Sequence, residues 1–553
     1  VKELIFILAL ILMANEILYY SYFWQLKEYR WDRMRDFLST ASGREKIFPV
    51  FGVIKLLVLL APLIFILIAS QTSVSKGVFV IFLLGWYFFV AASWFLEFID
   101  LIDRLLHKKI YRPDKTIKAA LIVFLSGAVI LGTSIYLYIN NYSTWLLFLI
   151  VMVTFNPLLP TFWIAILTPL TWLGKKFILK KAARKISQMR DLKIIGITGS
   201  YGKSSVKEFL AQILSDKYSV LKTPGNTNTE IGVAKVILKN LKAEHEVFIF
   251  EAGAYKIGEI KKIGEMVRPR VAIVTAVRDS HLALFGSLEN IKKAKFELIE
   301  SLTESGTAIF NSDDSGAKDL AERAGSLNLG KIIRYGGKCA KEKSGHALSV
   351  DLEAEEIKES LEGINFTVRG VKFFAAVPGR HNVSNLLAAI AAALEIGMTL
   401  PEIAERVKIV KLRDHTLTPI KINEDLVLID DTYNANPDGV VAGLEYLKLY
   451  SGWRKIFVFP GMLELGESSQ SEHKCVARKI AEICDFAYFT SRDFEMPLTE
   501  ELKKSDFQKY QFVVEDQAKL LSELRSGAAA GKTVILFSSR GAEEVIKKLK
   551  NAI

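Results

Sequence analysis

The chain has 553 residues, enough for three or four domains, and half of them are hydrophobic, with a mean hydropathy of +0.25. Its net charge of +12 would suit nucleic acid, but basic residues between membrane spans produce the same figure, and the apolar excess sits in the first third. Cys339, Cys475 and Cys484 lack CxxC spacing and the seven histidines form no HExxH pattern, which argues against a disulfide framework or a zinc site and for a reducing compartment.

Five stretches are long and apolar enough to cross or enter a bilayer: 3–20, 48–70, 78–99, 119–138 and 145–172. The first lacks a small-residue cleavage site and further spans follow it, so it reads as a membrane helix and not as a removed signal. It contains Asn15 and Glu16, which leave its inner end open. The last contains Asn156, Pro157, Pro160 and Pro169, which predict a break or a re-entrant shape covered by protein. Segments 21–47 and 100–118 carry six Lys/Arg each, 71–77 carries only Lys76, and 139–144 carries none. The strongly basic "KKFILKKAARK" follows the fifth span. By the positive-inside rule this alternation predicts an outside N-terminus and a cytoplasmic C-terminal region. The basic segments have two readings: they retain loops on the cytoplasmic side, or they hold an anionic headgroup or substrate.

From about 186 the pattern becomes alternating strands and helices. "KIIGITG", "EVFIFEAG" and "RVAIVTAV" read as buried strands, and "SSVKEFLAQILSDK" and "IKKAKFELIESL" as amphipathic helices. A second set follows a boundary near 397–412: "LVLIDDTY", "DGVVAGLEYLKL", "KIFVFPG", "SEHKCVARKIAEI", "FAYFT", "TVILFSSRG" and "AEEVIKKLKNAI". Both sets predict doubly wound α/β domains.

Between the first strand and its helix lies Gly199-Ser200-Tyr201-Gly202-Lys203-Ser204-Ser205. Glycines let backbone N–H groups turn toward phosphate oxygens, and the helix N-terminus adds a favourable dipole. Lys203 is placed to reach terminal phosphates and Ser204 to ligate Mg²⁺. The spacing is the short GxxGKS, whose bland counterpart is a glycine turn with an exposed lysine. Glu251 ends the strand "VFIFEAG", at the ligand-binding edge of a parallel sheet, where a carboxylate binds Mg²⁺ or merely caps a helix. His281 follows "RVAIVTAV" and on its own reads as a loop residue; Lys295 on its own reads as a solvated helix face.

Taken in order, "GITGSYGKSSVKE", "TPGNTNTEIGV", "FEAGAYKIGEI", "HLALFGSLENIKKAKFE", "GRHNVSNLLAAIAAAL" and "DDTYNANPDG" resemble the Mur ligases, ATP-dependent amide-forming enzymes of cell-wall precursor synthesis. The wording of "GNTNTEIG" and "TYNAN" favours the D-alanyl-D-alanine-adding branch. The apolar stretches predict a membrane region over 1–180 with about five spans. The resemblance implies a central P-loop ATPase-like α/β domain over 186–400 and a Rossmann-like C-terminal domain over 401–553. It implies that Gly199, Ser200, Gly202, Lys203, Ser204 and Ser205 hold ATP phosphates, with Mg²⁺ on Ser204, Glu251, His281 and Lys295. Lys295 matches a lysine that is carbamylated in the family. Lys203, Lys295 and His281 are the implied catalytic residues. Asn382 and Asn385 match adenine-side contacts, and Asp431, Tyr433, Asn434 and Asn436 match the C-terminal loop that faces the nucleotide and the incoming amine. The implied partners are a UDP-linked or lipid-linked cell-wall precursor, an amino acid or dipeptide amine, and membrane lipids, with no nucleic acid. The implied place is the bacterial cytoplasmic membrane, with the catalytic domains on the cytoplasmic side.

Three departures stand out. Membrane spans occupy the place of the family's UDP-binding domain. The linker "LRDHTLTPI" has Thr416 where the family has arginine, with Arg413 three residues earlier, and Pro460-Gly461-Met462 stands where the D-alanyl-D-alanine-adding enzymes have Gly-Asp-Met. Two rival classes are a membrane nucleotide sensor on a ligase scaffold and a transporter with an ATPase domain. The joint presence of Lys203, Glu251, His281 and Lys295 opposes the first, and the lack of an ABC-type signature opposes the second.

Overall fold

The computed structural model describes all residues except 1, 40, 72–74, 108–109, 141, 279–284, 338–349, 434, 463–464, 466–467, 515, 529–530, 539–541 and 553. It divides into two compact units, Val1–Lys176 and Phe177–Ile553.

The first unit is helical: α1 (Lys2–Leu26), α2 (Trp31–Ser39), α3 (Ala41–Ile47), α4 (Val50–Gln71), α5 (Lys76–Leu106), α6 (Ile117–Asn140), α7 (Tyr142–Phe155) and the first part of α8 (Leu158–Ser187). Among the described residues, five helices are long and apolar enough to cross a membrane: α1, α4, α5, α6 and α8. α4 leaves Leu57, Leu63 and Leu67 more than 60% exposed. A face of that kind is costly in water and ordinary against lipid.

The expected fifth span, 145–172, is two helices. The chain breaks at Asn156-Pro157, where the residue before proline is driven out of the α region and proline has no N–H to donate. Buried Asn156 turns inward, and its amide donates to the Met13 carbonyl and to Glu16 Oε2, both at 2.9 Å. Glu16 Oε1 in turn accepts from Lys55 Nζ at 2.7 Å, and Lys55 lies 2.9 Å from Glu97, so α1, α4, α5 and the break share one buried polar cluster. α8 continues through Pro160, which sits in its first turn, and through Pro169.

The second unit has two sheets. The first contains β1 (Lys193–Thr198), β2 (Val220–Lys222), β3 (Val247–Glu251), β4 (Val271–Val274), β5 (Thr307–Asn311), β6 (Lys331–Gly337), β7 (Leu352–Ser360), β8 (Gly363–Val368) and β9 (Val371–Ala375), in the order β2-β3-β1-β4-β5-β6-β7-β8-β9. β2 to β7 pair in parallel, and β8 and β9 continue as an antiparallel meander. The intervening helices are α9 (Lys203–Leu214), α10 (Glu230–Asn240), α11 (Glu259–Val267), α12 (Leu288–Glu300), α13 (Ser315–Ala324), α14 (Asn382–Ile396) and α15 (Leu400–Val407). The strand residues alternate between two cores. Ile195 and Ile197 face α9 and α14, whereas Phe248 and Phe250 face α10 to α13. The last turns of α8 belong to the second core, where Ala182 and Ile186 are buried.

The second sheet has the order β10-β11-β15-β12-β13-β14, from β10 (Thr418–Lys421), β11 (Leu426–Asp431), β12 (Arg454–Phe459), β13 (Phe486–Phe489), β14 (Tyr510–Phe512) and β15 (Thr533–Ser538). Only the β10–β11 pairing is antiparallel. α16 (Pro437–Leu447), α17 (Ser469–Ile483) and α18 (Glu495–Lys504) pack over one core, and α19 (Gln517–Ala528) and α20 (Glu543–Ala552) over the other. The expected α/β pattern is therefore present twice. In sheets of this kind ligands bind at the carboxyl ends of the parallel strands.

Candidate active site

β1 is buried between β3 and β4, so its carboxyl end delivers the glycine loop to the middle of the sheet. Two loop positions require glycine. Gly199 has φ +151°, and a Cβ there would lie 2.0 Å from Thr275 Oγ1; Gly202 has φ +80°, and a Cβ there would lie 2.5 Å from Asn385 Oδ1. α9 begins at Lys203 without a side-chain cap, whereas Thr229, Ser287, Asp314, Thr399 and Asn436 cap α10, α12, α13, α15 and α16. Its first N–H groups thus remain directed at the loop, a ready anion site.

Lys203 Nζ donates to the Gly199 carbonyl at 2.5 Å and the Ser200 carbonyl at 3.1 Å. Burial lowers its pKa, and Glu251 opposes the shift. Ser204 Oγ donates to Glu251 Oε2 at 2.9 Å, joining loop and strand end, and Ser205 follows in the first helical turn. Asn385 donates to Asn382 Oδ1 at 3.0 Å and packs on Gly202, so the "HNVSN" pair meets the glycine loop itself. Lys295 is buried in α12. Its amine is pushed well below the ordinary lysine range by burial and by the charge of Lys203, with Asp314 opposing. His281 and Asn434 lie outside the described residues. Among the described residues no three His, Cys, Asp or Glu side chains gather as a metal cluster.

Lys207 was not anticipated. It lies one turn after Lys203, is fully buried, and donates to the Gly225 carbonyl at 2.6 Å and to Glu251 Oε2 at 3.3 Å. Asn228 Nδ2 is 3.4 Å from the other oxygen of Glu251. The carboxylate is thus held by Ser204, Lys207 and Asn228. The "KSSVK" spacing places Lys203 and Lys207 on one helix face, which is the signal available in the sequence.

The C-terminal domain meets this edge through its linker. Arg413 Nη1 donates to Tyr433 Oη at 2.6 Å and to Asn226 Oδ1 at 3.2 Å, and its guanidinium stacks on the Tyr433 ring. The Tyr433 hydroxyl also donates to Asn226. Upstream, Lys411 exchanges two 2.9 Å bonds with Gln212 of α9. Downstream, His415 and Leu417 have φ of +64° and +39°. The Leu417 N–H donates to Asp431 Oδ1 at 3.0 Å, the Tyr433 N–H to the His415 carbonyl at 2.8 Å, and His415 Nδ1 lies 2.8 Å from Asp430. Burial pushes Asp431 up to about 7, against the pull of the Leu417 N–H. Asn436 accepts from the Gly439 N–H at 2.9 Å, the bond of a helix cap.

Residues 197–393 match the Mur ligase middle domain and 417–540 match the Mur ligase, glutamate ligase domain. The chain is similar to the UDP-N-acetylmuramoyl-tripeptide–D-alanyl-D-alanine ligase of Bacillus subtilis, 29% identical over 67% of this chain and 79% of that one. It is also similar to the enzyme of the same name from Escherichia coli, 35% identical over 52% and 62%. Among solved structures, MurF from Acinetobacter baumannii superposes with a TM-score of 0.60 and 28% identity, over 68% of this chain and 80% of that one. MurF from Thermotoga maritima in complex with ADP gives 0.58 and 25%, over 68% and 83%. With both Mur ligase domains matched in order around a glycine loop whose Ser204 bonds to Glu251, the chain belongs to the Mur ligase family, a family of ATP-dependent ligases.

Proposed function

We propose that the chain is an ATP-dependent ligase that joins the carboxylate of a cell-wall precursor to the amine of D-alanyl-D-alanine or a similar amine. The observation that carries this reading is the Ser204–Glu251 contact beside Lys203, with Tyr433 of the second domain and Arg413 of the linker reaching Asn226 on the same edge. The acceptor carboxylate attacks the γ-phosphorus of ATP, ADP leaves, and the amine then displaces phosphate from the acyl phosphate while losing a proton. Gly199, Ser200, Gly202 and Ser205 hold the phosphates, Asn382 and Asn385 the adenine side, and Lys203 the charge growing on the transferred group. The hard oxygens of Ser204 and Glu251, joined at 2.9 Å, fit Mg²⁺, and His281 and the carbamate of Lys295 would be its other ligands. Bound there, the ion would neutralise phosphate charge. Asp431, Tyr433, Asn434 and Asn436 present the amine side as the second domain closes.

Mass spectrometry of products tests the reading: membrane-embedded protein is incubated with ATP, UDP-linked or lipid-linked precursors, and candidate amines. Ligated product, with phosphate release that needs both acceptor and amine, is the expected result. Phosphate release without either one would instead fit a sensor or a transport ATPase.

In the same reading the first unit crosses the cytoplasmic membrane and the catalytic domains face the ATP-containing side. Reporter fusions after residue 553 should report cytoplasmic, and reporters in 71–77 and 139–144 external. An external signal from the C-terminal reporter would remove the topology and the ATP-linked activity together.

The basic segments 21–47 and 100–118 are the proposed surface for the acceptor's pyrophosphate, with Trp24, Tyr29 and Trp31 beside them. Part of their charge is matched internally, as in Arg30–Asp32 at 2.6 Å and Arg33–Glu28 at 2.8 Å, while Trp24 donates to Thr161 at 2.9 Å. Such pairs are partly exposed, and a pyrophosphate can compete for them. A fragment beginning at Lys175 keeps Ala182 and Ile186 in their core. It should lose turnover selectively on lipid-linked acceptor; equal use of both acceptors would reduce the first unit to an anchor.

A further inference from the structure

Arg278 is held at three points. It follows β4, and its backbone N–H donates to Ser200 Oγ at 3.0 Å while that hydroxyl donates to the Arg278 carbonyl at 3.0 Å. Its Nε donates to Asp314 Oδ2 at 3.0 Å. Asp314 is buried and has no freedom of its own: its Oδ1 accepts from the Val277 N–H at 2.8 Å and, as the cap of α13, from the Ala317 N–H at 2.9 Å. The far side of the guanidinium crosses to the other domain, where Nη1 donates to Asp438 Oδ1 at 3.2 Å in the first turn of α16. α16 directly follows the loop that carries Tyr433. A serine of the phosphate loop, a helix cap and the second domain therefore meet on one side chain.

A half-exposed ion pair alone contributes little. Here the fork of the guanidinium is already oriented by Asp314 and the backbone by Ser200, so little side-chain entropy is lost when Asp438 arrives. Burial pushes the Asp438 carboxyl up, and Arg278 opposes the shift.

We propose that Arg278 is the positioning residue that docks the C-terminal domain on the phosphate loop, bringing the loop around Tyr433 to the amine side of the reaction. This rests on the ligase reading above. In this proposal a nucleotide that settles the glycine loop also settles Ser200 and, through it, the Arg278 backbone from which the guanidinium reaches α16.

The test uses full-length protein in lipid nanodiscs, as wild type, Arg278→Gln, Asp438→Asn and the double variant. Each single change should raise the KM for the amine about five-fold, the scale of a partly exposed ion pair that carries a docking step, and leave the KM for ATP within about two-fold. The double variant should be no worse than either single one, because both remove the same contact. High salt should raise the wild-type amine KM toward the variants' value and leave the variants unchanged. Independent, multiplying losses, or an Arg278→Gln protein that matches wild type, would overturn the proposal. Docking is also read without turnover. With a non-hydrolysable ATP analogue, trypsin should cut the linker at Lys411 and Arg413 about five-fold faster in Arg278→Gln than in wild type, and equal cutting overturns docking. A wild-type protein without ligase activity that still shows this difference overturns the ligase reading alone.

Discussion

Lys203→Ala should abolish ATP-dependent ligation, with a loss of at least about 100-fold, the scale on which preorganised charge stabilisers act. Membrane insertion should be unchanged. The ammonium caps the Gly199 and Ser200 carbonyls, so its removal costs about 1 kcal/mol of local stability and leaves the sheet core intact. Product formation per inserted molecule is the measurement, and unfolding temperature separates lost chemistry from lost fold. Turnover within a few-fold of wild type would remove the phosphate-loop role from this lysine. The loop has no slack to re-form around a shorter side chain: Gly199 lies against Thr275 and Gly202 against Asn385.

Lys295 is expected to work as its carbamate. Carbamate formation needs a neutral amine: the nitrogen lone pair attacks carbon dioxide, an N–C bond forms and a proton is lost. Lys295 is in the environment that supplies one, since burial and the neighbouring charge of Lys203 depress its pKa. Lys295→Ala should lose about 100-fold or more of the activity, on the scale of one missing electrostatic contributor. A small carboxylic acid added to the assay should restore part of it by supplying the missing carboxylate. Lys295→Met, which keeps the core filled, should fail equally and so separate chemistry from packing. A fully active Lys295→Ala protein without additives would overturn this role.

Much of the architecture was readable because buried parallel strands leave unbroken apolar runs. "KIIGIT", "VFIFE" and "LVLIDD" each lie where their composition placed them, as β1, β3 and β11. The meander β7–β9 was not readable. "LEAEEIKES" alternates burial with exposure and carries charges, so its composition resembles a solvated loop until β8 pairs with it. The break at Asn156-Pro157 was foreshadowed by proline. Which of three prolines would act depended on Asn156 finding Glu16 about 140 residues away. Lys207 and Arg278 escaped for a related reason. A lysine in a helix and an arginine in a loop look solvated in sequence, and only tertiary partners such as Glu251, Asp314 and Asp438 give them a place. Asn436 was legible from its motif as a site residue, but its second role, accepting from the Gly439 N–H as the cap of α16, shows only in the fold.

The interdomain linker has a consequence for where the molecule can bend. Lys411 is tied to Gln212 of the central domain, and from His415 onward the chain is tied to Asp430, Asp431 and Tyr433 of the C-terminal domain. His415 and Leu417 hold left-handed backbone angles that cost non-glycine residues about 1–2 kcal/mol each, and those bonds are what keep them there. A rotation after His415 would release both the strain and its restraints and would uncouple Tyr433 from the linker. A rotation before Lys411 would peel the linker from α9. Leu412 still packs on the central-domain core, so rotation between the two tethers falls on Arg413 and Asp414. Arg413 sits in this hinge with its guanidinium on Asn226 and Tyr433, so the axis of the hinge passes through the side chain that grips the site, and opening the domains and releasing that grip are one movement.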